Sequence, residues 1–392
     1  MQQLRSMIRR QCTPLLTSSF FLFGARATGK TTFLRSCLEK ERVYWIDLLD
    51  PELEDRYLAH PRLFYEEVQL KSDQVDWVVI DEIQKCPMLL NFVHKLIEEK
   101  RHKFALTGSS ARKLRRGAAN LLAGRALLNE MYPLTALELG QDFNLLSVLH
   151  WGSLPGLLDF QSDLEKAAYL DSYAHTYLKE EIFAEQLVRK LQPFRRFLEL
   201  SAHCHGAQLS YRKIGRDLGL DGKTVQNYFQ ILEDTLVGFL LYPHQTSLRK
   251  SLTQIPKFYF FDLGVQRALA KILRSTMVER TSAFGEAFEA FVVLEIQRHN
   301  SYSRASYTME YFSDGKYEID LILSRGPREI IALEIKSTQQ VTEAQVQKFS
   351  ALANSMGAHR KILVSQDSME RLHEGVECLH WKTVLSRLFP SH

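Results

Sequence analysis

The chain has 392 residues, with 50 Lys and Arg against 46 Asp and Glu, 45% hydrophobic residues and 24% charged residues. This is an ordinary globular composition, and at roughly 100–200 residues per domain it predicts two or three domains, each large enough for its own core. It excludes intrinsic disorder, collagen and disulfide scaffolds. The net charge of +4 is too small to indicate a nucleic-acid ligand on its own.

The cysteines and the N-terminal segment indicate a reducing compartment. The five cysteines form no C-x-x-C pair and no Cys/His cluster at zinc spacing, so we expect free thiols. The N-terminal segment leads into a polar turn, and the strongest apolar run, Phe20–Phe23, has only the length of a strand. We therefore expect a cytoplasmic protein without a membrane-spanning segment or a membrane partner.

The first 144 residues alternate between predicted strands and predicted helices. Phe20–Phe23 reads as a strand that is followed by a loop and a helix, and three further strands follow at Val43–Asp47, Val75–Ile80 and Lys103–Thr107. Helix-like stretches separate them. This alternation predicts a parallel α/β sheet.

The rest of the chain contains three further kinds of pattern. Residues 145–200 have helical periodicity without a strand signal, which predicts a helical subdomain. Residues 201–270 read as helix, turn, second helix and two strands, the order of a winged helix-turn-helix. Residues 271–392 start with a helix and continue with strands, which predicts a separate α/β domain. The predicted domains are therefore 1–144, 145–200, 201–270 and 271–392.

A phosphate-binding pattern follows the first predicted strand. Gly24–Thr31 fits G-x-x-x-x-G-K-[ST] and lies between a strand and a helix, the context that this motif requires. Its glycines let backbone N–H groups approach a β-phosphate, Lys30 reaches the β- and γ-phosphates, and Thr31 offers a hydroxyl to Mg²⁺. The predicted nucleotide contacts are Gly24, Ala25, Arg26, Ala27, Thr28, Gly29, Lys30, Thr31 and Thr32.

Two adjacent carboxylates follow the third strand. Asp81 suits the Mg²⁺ shell, and Glu82 suits the orientation or deprotonation of an attacking water. Such a pair favours hydrolysis over binding alone. Hydroxyls on Thr107, Ser109 and Ser110 end the fourth strand and are candidates to position water near the γ-phosphate, with strand-end capping as the alternative. We assign the catalytic role to Ser109.

Several motifs together resemble a known family. They are the Gly24–Thr31 loop with its internal arginine, Asp81–Pro87, Leu106–Ser110, Leu122–Arg125, Tyr132–Leu134 and Glu138. The chain resembles bacterial and archaeal AAA-type P-loop ATPases, which continue with a helical region that contains Gly-x-x-Pro, here Gly152–Pro155, and with a C-terminal restriction-nuclease-like domain. The resemblance covers nearly the whole chain. Departures at Ala25, Ala27 and Glu181 affect no catalytic position.

The resemblance implies a fold class, cofactors and an activity. The fold class is multidomain α/β: an AAA-type P-loop ATPase with a parallel sheet and a helical subdomain, a winged-helix region, and a C-terminal α/β nuclease-like domain. The cofactors are ATP and Mg²⁺, and the activity is ATP hydrolysis.

AAA-type ATPases complete their sites with an arginine from the neighbouring subunit, which stabilises charge in the transition state. The candidates are Arg112, Arg115, Arg116 and Arg125, and we prefer Arg125. Basic residues outnumber acidic ones nine to two over residues 95–125, whereas acidic residues outnumber basic ones eleven to three over residues 47–82. Opposite charges on one domain suit head-to-tail assembly into a homo-oligomeric ring, with a hexamer as one form. A basic solvated or DNA-facing surface is the alternative for residues 112–116.

The second helix of the helix-turn-helix is a candidate DNA contact. Its apolar side consists of Val225, Phe229 and Leu232, and its polar side consists of Lys223, Thr224, Gln226 and Asn227. A helix in this position enters a DNA groove, so we predict DNA as a partner, with single-stranded, duplex and branched forms all open. A protein-interaction module is the alternative.

The C-terminal third contains a pattern that resembles the D…(D/E)-x-K core of restriction-type nucleases. Strand alternation places Glu334 and Lys336 on one face, where the carboxylate could hold a metal beside Asp320 and the lysine could activate water. Glu289 could complete the metal shell, with Gln347 as a polar support. The alternatives are an exposed Glu/Lys alternation on an edge strand and a nuclease-like fold that binds without cutting.

Three functions are compatible with these motifs. The first is a Mg²⁺-dependent AAA-type ATPase that binds and remodels DNA as a ring. The second is an ATP-gated DNA nuclease. The third is a slow ATP-binding switch in signalling or transcription that recruits a partner protein. Repair, recombination, defence and regulation are all open as the biological process.

Overall fold

The computed structural model describes residues 8–109, 122, 124–177, 191–244, 255–314, 316–326 and 329–390. The chain forms two compact units. The first comprises Met1–Leu134, Leu154–Gly156 and Asp234–Val237, and the second comprises Thr135–Ser153, Leu157–Glu233 and Gly238–His392. All three predicted domain boundaries lie inside the second unit. Apart from residues 154–156 and 234–237, the predicted helical, helix-turn-helix and C-terminal segments belong to the second unit.

The first unit contains a five-stranded sheet with the order β2-β3-β4-β1-β5. Its strands are β1 (Ser19–Phe23), β2 (Val43–Asp47), β3 (Trp77–Asp81), β4 (Lys103–Gly108) and β5 (Ala126–Glu130). All neighbouring strands are parallel, and every residue of β1 and β3 is buried, as expected for central strands that are covered on both faces. The predicted parallel α/β sheet is confirmed.

Strand β5 was not among the sequence predictions. Among the described strands it pairs with β1 alone, at the edge of the sheet, and Leu127 and Leu128 are both exposed. Two consecutive leucines that are both exposed fit neither strand pattern. A buried strand has a continuous apolar run, and a half-buried strand alternates apolar with polar residues. Its pairing with β1 is therefore visible only in the folded chain.

In the described part of the first unit, four helices lie between the strands: α1 (Lys30–Cys37), α2 (Pro51–Ala59), α3 (Arg62–Leu70) and α4 (Leu89–Glu98). Helix α2 begins where the Asp50 side chain accepts the Glu52 N–H and Pro51 fits the first turn. Helix α4 buries its apolar face in the core beside β3 and β4. Because all strands are parallel, the carboxyl ends of β1, β3 and β4 lie at one edge of the sheet.

The second unit contains an eight-stranded mixed sheet with the order β12-β13-β11-β10-β9-β8-β6-β7. Its strands are β6 (Gly238–Pro243), β7 (Lys257–Phe260), β8 (Thr308–Ser313), β9 (Glu318–Ser324), β10 (Ile330–Ile335), β11 (Arg360–Ser365), β12 (Arg371–His373) and β13 (Val376–His380). Strands β6 and β7, expected as a wing, pair antiparallel, but β6 also pairs with β8. They therefore extend the C-terminal sheet and do not form an independent wing.

The helices described in the second unit are α5 (Ala136–Leu139), α6 (Leu145–Trp151), α7 (Asp163–Ser172), α8 (Leu191–His203), α9 (Tyr211–Leu218), α10 (Gly222–Asp234), α11 (Leu263–Leu269), α12 (Ser282–Tyr302), α13 (Glu343–Ser355) and α14 (Trp381–Leu388). Over residues 145–177 and 191–200 the structure has helices and no strand. None of the described helices combines the length and apolar composition needed to cross a bilayer. All five cysteines are free thiols.

A buried polar network explains the glycine of the Gly-x-x-Pro pattern. Gly152 has φ +76°, and a Cβ atom there would lie 2.1 Å from a carboxylate oxygen of Asp262. The Asp262 carboxylate accepts the Ser153 N–H at 2.8 Å, and Arg298 donates to the Ser153 hydroxyl and to Glu295. Burial raises the pKa of Asp262. The glycine is therefore required for both its backbone conformation and its small size.

Candidate functional site

The Gly24–Thr31 loop joins β1 to α1 in a conformation that depends on its two glycines. Gly29 has φ +89° at the start of α1, and Ala27 also has a positive φ of +61°. At Gly24, a Cβ atom would lie 2.3 Å from the Met131 carbonyl oxygen. Both glycines are therefore required by geometry, one for its φ and the other for space.

Lys30 lies inside this loop and is only 6% exposed. Its ammonium group donates to the carbonyl oxygens of Gly24 at 2.8 Å and Ala25 at 3.3 Å. The buried Thr28 hydroxyl donates to the same Ala25 carbonyl at 2.8 Å. The loop thus holds a positive charge at the N-terminus of a helix, which is an arrangement that favours phosphate.

The two predicted Mg²⁺ ligands are in contact. The Thr31 hydroxyl donates to Asp81 Oδ2 at 2.6 Å, and the Thr107 hydroxyl donates to Asp81 Oδ1. Asp81 is 3% exposed. Mg²⁺ prefers hard oxygen ligands and commonly uses one or two protein ligands together with substrate phosphates, so this pair fits the ion.

Glu82 has an unusual backbone conformation, with φ +59°. Its N–H donates to the Thr107 hydroxyl at 3.0 Å, and its carboxylate accepts a hydrogen bond from Gln84 Nε2. The same Gln84 nitrogen donates to Ser109 Oγ at 3.0 Å. Thr107 therefore contacts both acidic residues directly, whereas Ser109 is linked to Glu82 through Gln84. No role was predicted for Gln84, although it lies within the Asp81–Pro87 motif.

Arg10 is a second residue that the sequence did not reveal. Its guanidinium donates to the Thr28 carbonyl at 2.8 Å and to the Tyr132 carbonyl at 2.6 Å. It thereby connects the phosphate loop to the segment after β5. Because Arg10 and Tyr132 are 122 positions apart, no local pattern predicts this contact.

Arg125, proposed to act on a neighbouring subunit, forms an ion pair with Glu98 of its own chain. The hydrogen bond from Arg125 lowers the pKa of Glu98. The Arg125 side chain is 39% exposed. The other predicted positions, Ser110, Arg112, Arg115, Arg116 and Glu181, lie outside the described residues.

Helix α10 has the predicted division between an apolar and a polar side. Val225, Phe229 and Leu232 are buried, and Lys223, Gln226 and Asn227 are exposed. Thr224 differs from the prediction because its hydroxyl donates to Asp221 Oδ2 at 2.6 Å and its N–H donates to Asp221 Oδ1. Asp221 thus caps the helix and holds the Thr224 hydroxyl, which leaves three predicted side chains on the exposed face.

The predicted nuclease-like residues converge on α12, β9 and β10. Lys336 Nζ lies 2.7 Å from Glu334 Oε1 and 3.7 Å from Asp320 Oδ2. Burial, followed by the charge of Asp320, raises the pKa of both Glu289 and Glu334 to about 7. Strand β10 lies between β9 and β11, so the edge-strand alternative is wrong. Gln347, predicted as a polar support, donates to Glu374 at 3.3 Å.

Lys257 on β7 joins this cluster although the sequence did not indicate it. It is 3% exposed, pairs with Glu318, and lies 3.5 Å from Glu289 Oε1. Burial acts to lower the pKa of Lys257, but the charges of Glu289 and Glu318 outweigh it and the net direction is upward. The Tyr259 hydroxyl also donates to Glu289, at 3.2 Å.

These contacts bear on whether the cluster fits a metal ion. Lys257 pairs with Glu289 and Glu318, and Lys336 pairs with Asp320 and Glu334. In the part of the chain that the structure describes, no three Asp, Glu, His or Cys side chains are arranged to hold one metal ion. As arranged, the cluster has lysines as its cations and does not present a metal shell.

Three protein-family models match successive parts of the chain. Residues 17–140 match the AAA domain family, residues 142–276 match a domain of unknown function (DUF8612), and residues 284–384 match another domain of unknown function (DUF4143). The phosphate loop, the acidic pair and the parallel sheet all fall in the first match. The N-terminal part of the chain is therefore an AAA-type P-loop domain, a class that implies nucleotide binding.

Curated relatives are similar over most of this chain and are uncharacterized. Proteins from Mycobacterium tuberculosis and Mycobacterium bovis are each 28% identical over 296 residues, which covers 75% of this chain and 64% of the relative. The match thus spans less than two thirds of their length. A protein from Methanocaldococcus jannaschii is 22% identical over 355 residues, which covers 82% of this chain and 76% of the relative.

Two solved structures also align. Domain III of the Thermotoga maritima replication initiation protein DnaA has a TM-score of 0.24 and 14% identity, and covers 56% of this chain and 84% of that chain. The structure of Drosophila ORC bound to AT-rich DNA and Cdc6 has a TM-score of 0.23 and 10% identity. The alignment covers 66% of this chain and 87% of that chain. These TM-scores are too low to support an inference.

Proposed function

We propose that this chain is a Mg²⁺-dependent ATPase of AAA type that binds and remodels DNA as a homo-oligomeric ring. The observation that carries the ATPase activity is the contact between the phosphate loop and the acidic strand end. The loop holds Lys30, its Thr31 hydroxyl is bonded to Asp81, and Glu82 follows directly.

Each residue has a role in this proposal. Lys30 binds the β- and γ-phosphates, and Thr31 and Asp81 hold Mg²⁺, which when bound supplies positive charge against the phosphate oxygens. Glu82 accepts a proton from the attacking water. Arg125 of a neighbouring subunit would exchange its Glu98 partner for the γ-phosphate, because a cation there stabilises the transition state.

The exposed side of α10 supports DNA as the partner. Lys223, Gln226 and Asn227 project from it without occupying the apolar core. We expect steady-state ATP turnover to rise several-fold with one of three added DNAs: single-stranded, duplex or branched. A slow rate that is indifferent to all three would support the switch that recruits a protein partner.

Charge reversal at Lys223 should weaken DNA binding and make its salt dependence shallower, because one phosphate contact is lost. Lys40→Glu reverses an exposed charge on the first unit and should leave DNA affinity unchanged. The measurement is DNA affinity by fluorescence anisotropy over a salt series. An unchanged affinity for Lys223→Glu would assign α10 to protein interaction.

A second candidate, the ATP-gated nuclease, is favoured by the convergence of Glu289, Asp320, Glu334 and Lys336. Lys257 and Lys336 already pair with these carboxylates, so we expect DNA binding without cutting. The test incubates supercoiled plasmid with the chain, ATP, and Mg²⁺ or Mn²⁺. We expect the wild-type chain and Asp320→Ala to give the same level of nicking. Nicking that is lost in Asp320→Ala but kept in Lys40→Glu would establish the nuclease instead.

A further inference from the structure

We propose that Gln84 is a positioning residue for ATP hydrolysis: its side-chain amide orients the Glu82 carboxylate toward the attacking water. This inference rests on the proposed ATPase function. It gives a role in hydrolysis to a residue outside the phosphate loop and the acidic pair.

Gln84 lies in a confined position beside the acidic pair. It belongs to a short 3-10 turn, Ile83–Lys85, directly after β3, and is 7% exposed. Gly108, at the end of β4, leaves room for it: a Cβ atom at Gly108 would lie 2.9 Å from Gln84 Oε1. The amide is therefore held between the ends of two neighbouring strands.

The hydrogen bonds of Gln84 determine which way its amide faces. Nε2 donates to Glu82 and to Ser109 Oγ at 3.0 Å. An ionised carboxylate can only accept hydrogen bonds, so the NH₂ group must face Glu82. Both amide hydrogens are then used, and the link from Ser109 to Glu82 passes through this one group.

The carbonyl oxygen of the same amide has no donor. Gln84 Oε1 is buried and has no hydrogen-bond partner among the described residues. A buried acceptor without a donor is unfavourable and calls for an explanation, such as a functional role. The bonds of the NH₂ group to Glu82 and Ser109 hold the amide in this orientation and leave its oxygen without a donor.

The backbone of Glu82 also needs such support. A residue other than glycine at φ +59° is strained, and it persists where its surroundings hold it in place. The Thr107 hydroxyl holds the Glu82 N–H, and Gln84 holds its carboxylate.

In the reaction, the water oxygen bonds to the γ-phosphorus, its proton passes to Glu82, and the bridging oxygen leaves on ADP with the electrons of the broken P–O bond.

The test is Gln84→Met, which keeps the length of the side chain and removes its donors and acceptor. We expect kcat to fall about tenfold or more, since a positioned base contributes on the order of 10²–10⁴. ATP affinity, measured with a fluorescent ATP analogue, should change less than about twofold because no phosphate contact is altered. Gln69→Met, the same exchange on the exposed surface of α3, should change neither quantity.

A double-mutant cycle separates positioning from a general structural role. If Gln84 acts through Glu82, Gln84→Met should have no further effect on single-turnover rates in a Glu82→Gln background. A further loss of rate in that background would overturn the inference. An unchanged or faster rate for Gln84→Met alone would also overturn it.

Two further results distinguish a failure of this inference from a failure to fold or a failure of the proposed function. If Gln84→Met does not fold, Gln84→Glu has nearly the same shape and lacks the NH₂ donor, so it should show the same loss of kcat; full activity would overturn the inference. If the wild-type chain binds ATP but hydrolyses none, the proposed function fails together with this inference. Wild-type turnover with fully active Gln84 variants overturns this inference alone.

Discussion

Replacing Glu82 with glutamine should leave ATP binding intact and reduce ATP hydrolysis to a residual rate that single-turnover measurements still detect, whereas replacing Lys30 with alanine should remove both ATP binding and hydrolysis. Glutamine cannot take a proton from water, and loss of a positioned general base lowers kcat by about 10²–10⁴. It touches neither the phosphate loop nor the hydrogen bond between Thr31 and Asp81. Lys30→Ala removes the positive charge that the carbonyls of the loop hold in place.

The measurements are steady-state ATP turnover and equilibrium ATP binding for both variants. Glu66→Gln is a matched control for the first, because it removes a carboxylate charge on α3 that pairs with the exposed Arg62. We expect its turnover to equal that of the wild type. Equal loss of ATP binding in Lys30→Ala and Glu82→Gln would contradict the roles assigned to both residues.

Replacing Lys257 with methionine should destabilise the second unit by about 3–5 kcal/mol at neutral pH, because it leaves buried carboxylates without their cation. The Lys257 ammonium is almost fully buried against Glu289 and Glu318. Lys271→Met breaks a comparable ion pair with Glu199, but that lysine side chain is 58% exposed. For Lys271→Met we expect about 0–1 kcal/mol.

The loss should be smaller near pH 5 than near pH 8. Burial and Asp320 raise the pKa of Glu289 from its ordinary value to about 7, and Lys257 opposes that rise. A raised carboxyl pKa contributes stability below the ordinary pKa, and this contribution is lost as the pH rises through about 7. Near pH 5 Glu289 is neutral in the wild type and in the variant, so its pairing with Lys257 matters less.

Hydrogen exchange of β9 and β10 in denaturant reports this stability for the second unit alone, which avoids treating two units as one transition. Equal losses for Lys257→Met and Lys271→Met would contradict the buried pair. A loss at Lys257→Met that does not change between pH 5 and pH 8 would contradict the role of Glu289.

The ATPase and cleavage assays together separate the three functions. Turnover stimulated by DNA, without nicking that depends on Asp320, supports the remodelling ATPase. Nicking that depends on Asp320 supports the nuclease. Tight ATP binding with slow turnover that DNA does not change supports the switch.

Much of the AAA-type domain was predictable because its signals are local. Strands β1 to β4 are built around short apolar runs, and each was predicted within two residues of its observed ends. The carboxyl ends of parallel strands share one edge of the sheet. The sequence therefore predicts that Lys30, Thr31 and Asp81 lie together. Strand β5 was missed because an exposed edge strand has a weak pattern.

By itself, the sequence determined the phosphate loop, the acidic pair and the type of sheet, because each depends on residue types at fixed spacing within one segment. Only the tertiary structure decided which other side chains join them. Gln84 meets Ser109 because β3 and β4 are neighbours, and Lys257 meets Glu289 because β7 and α12 pack together. Periodicity in a single sequence indicates which face of an element is buried, but it does not indicate which distant residue that face packs against.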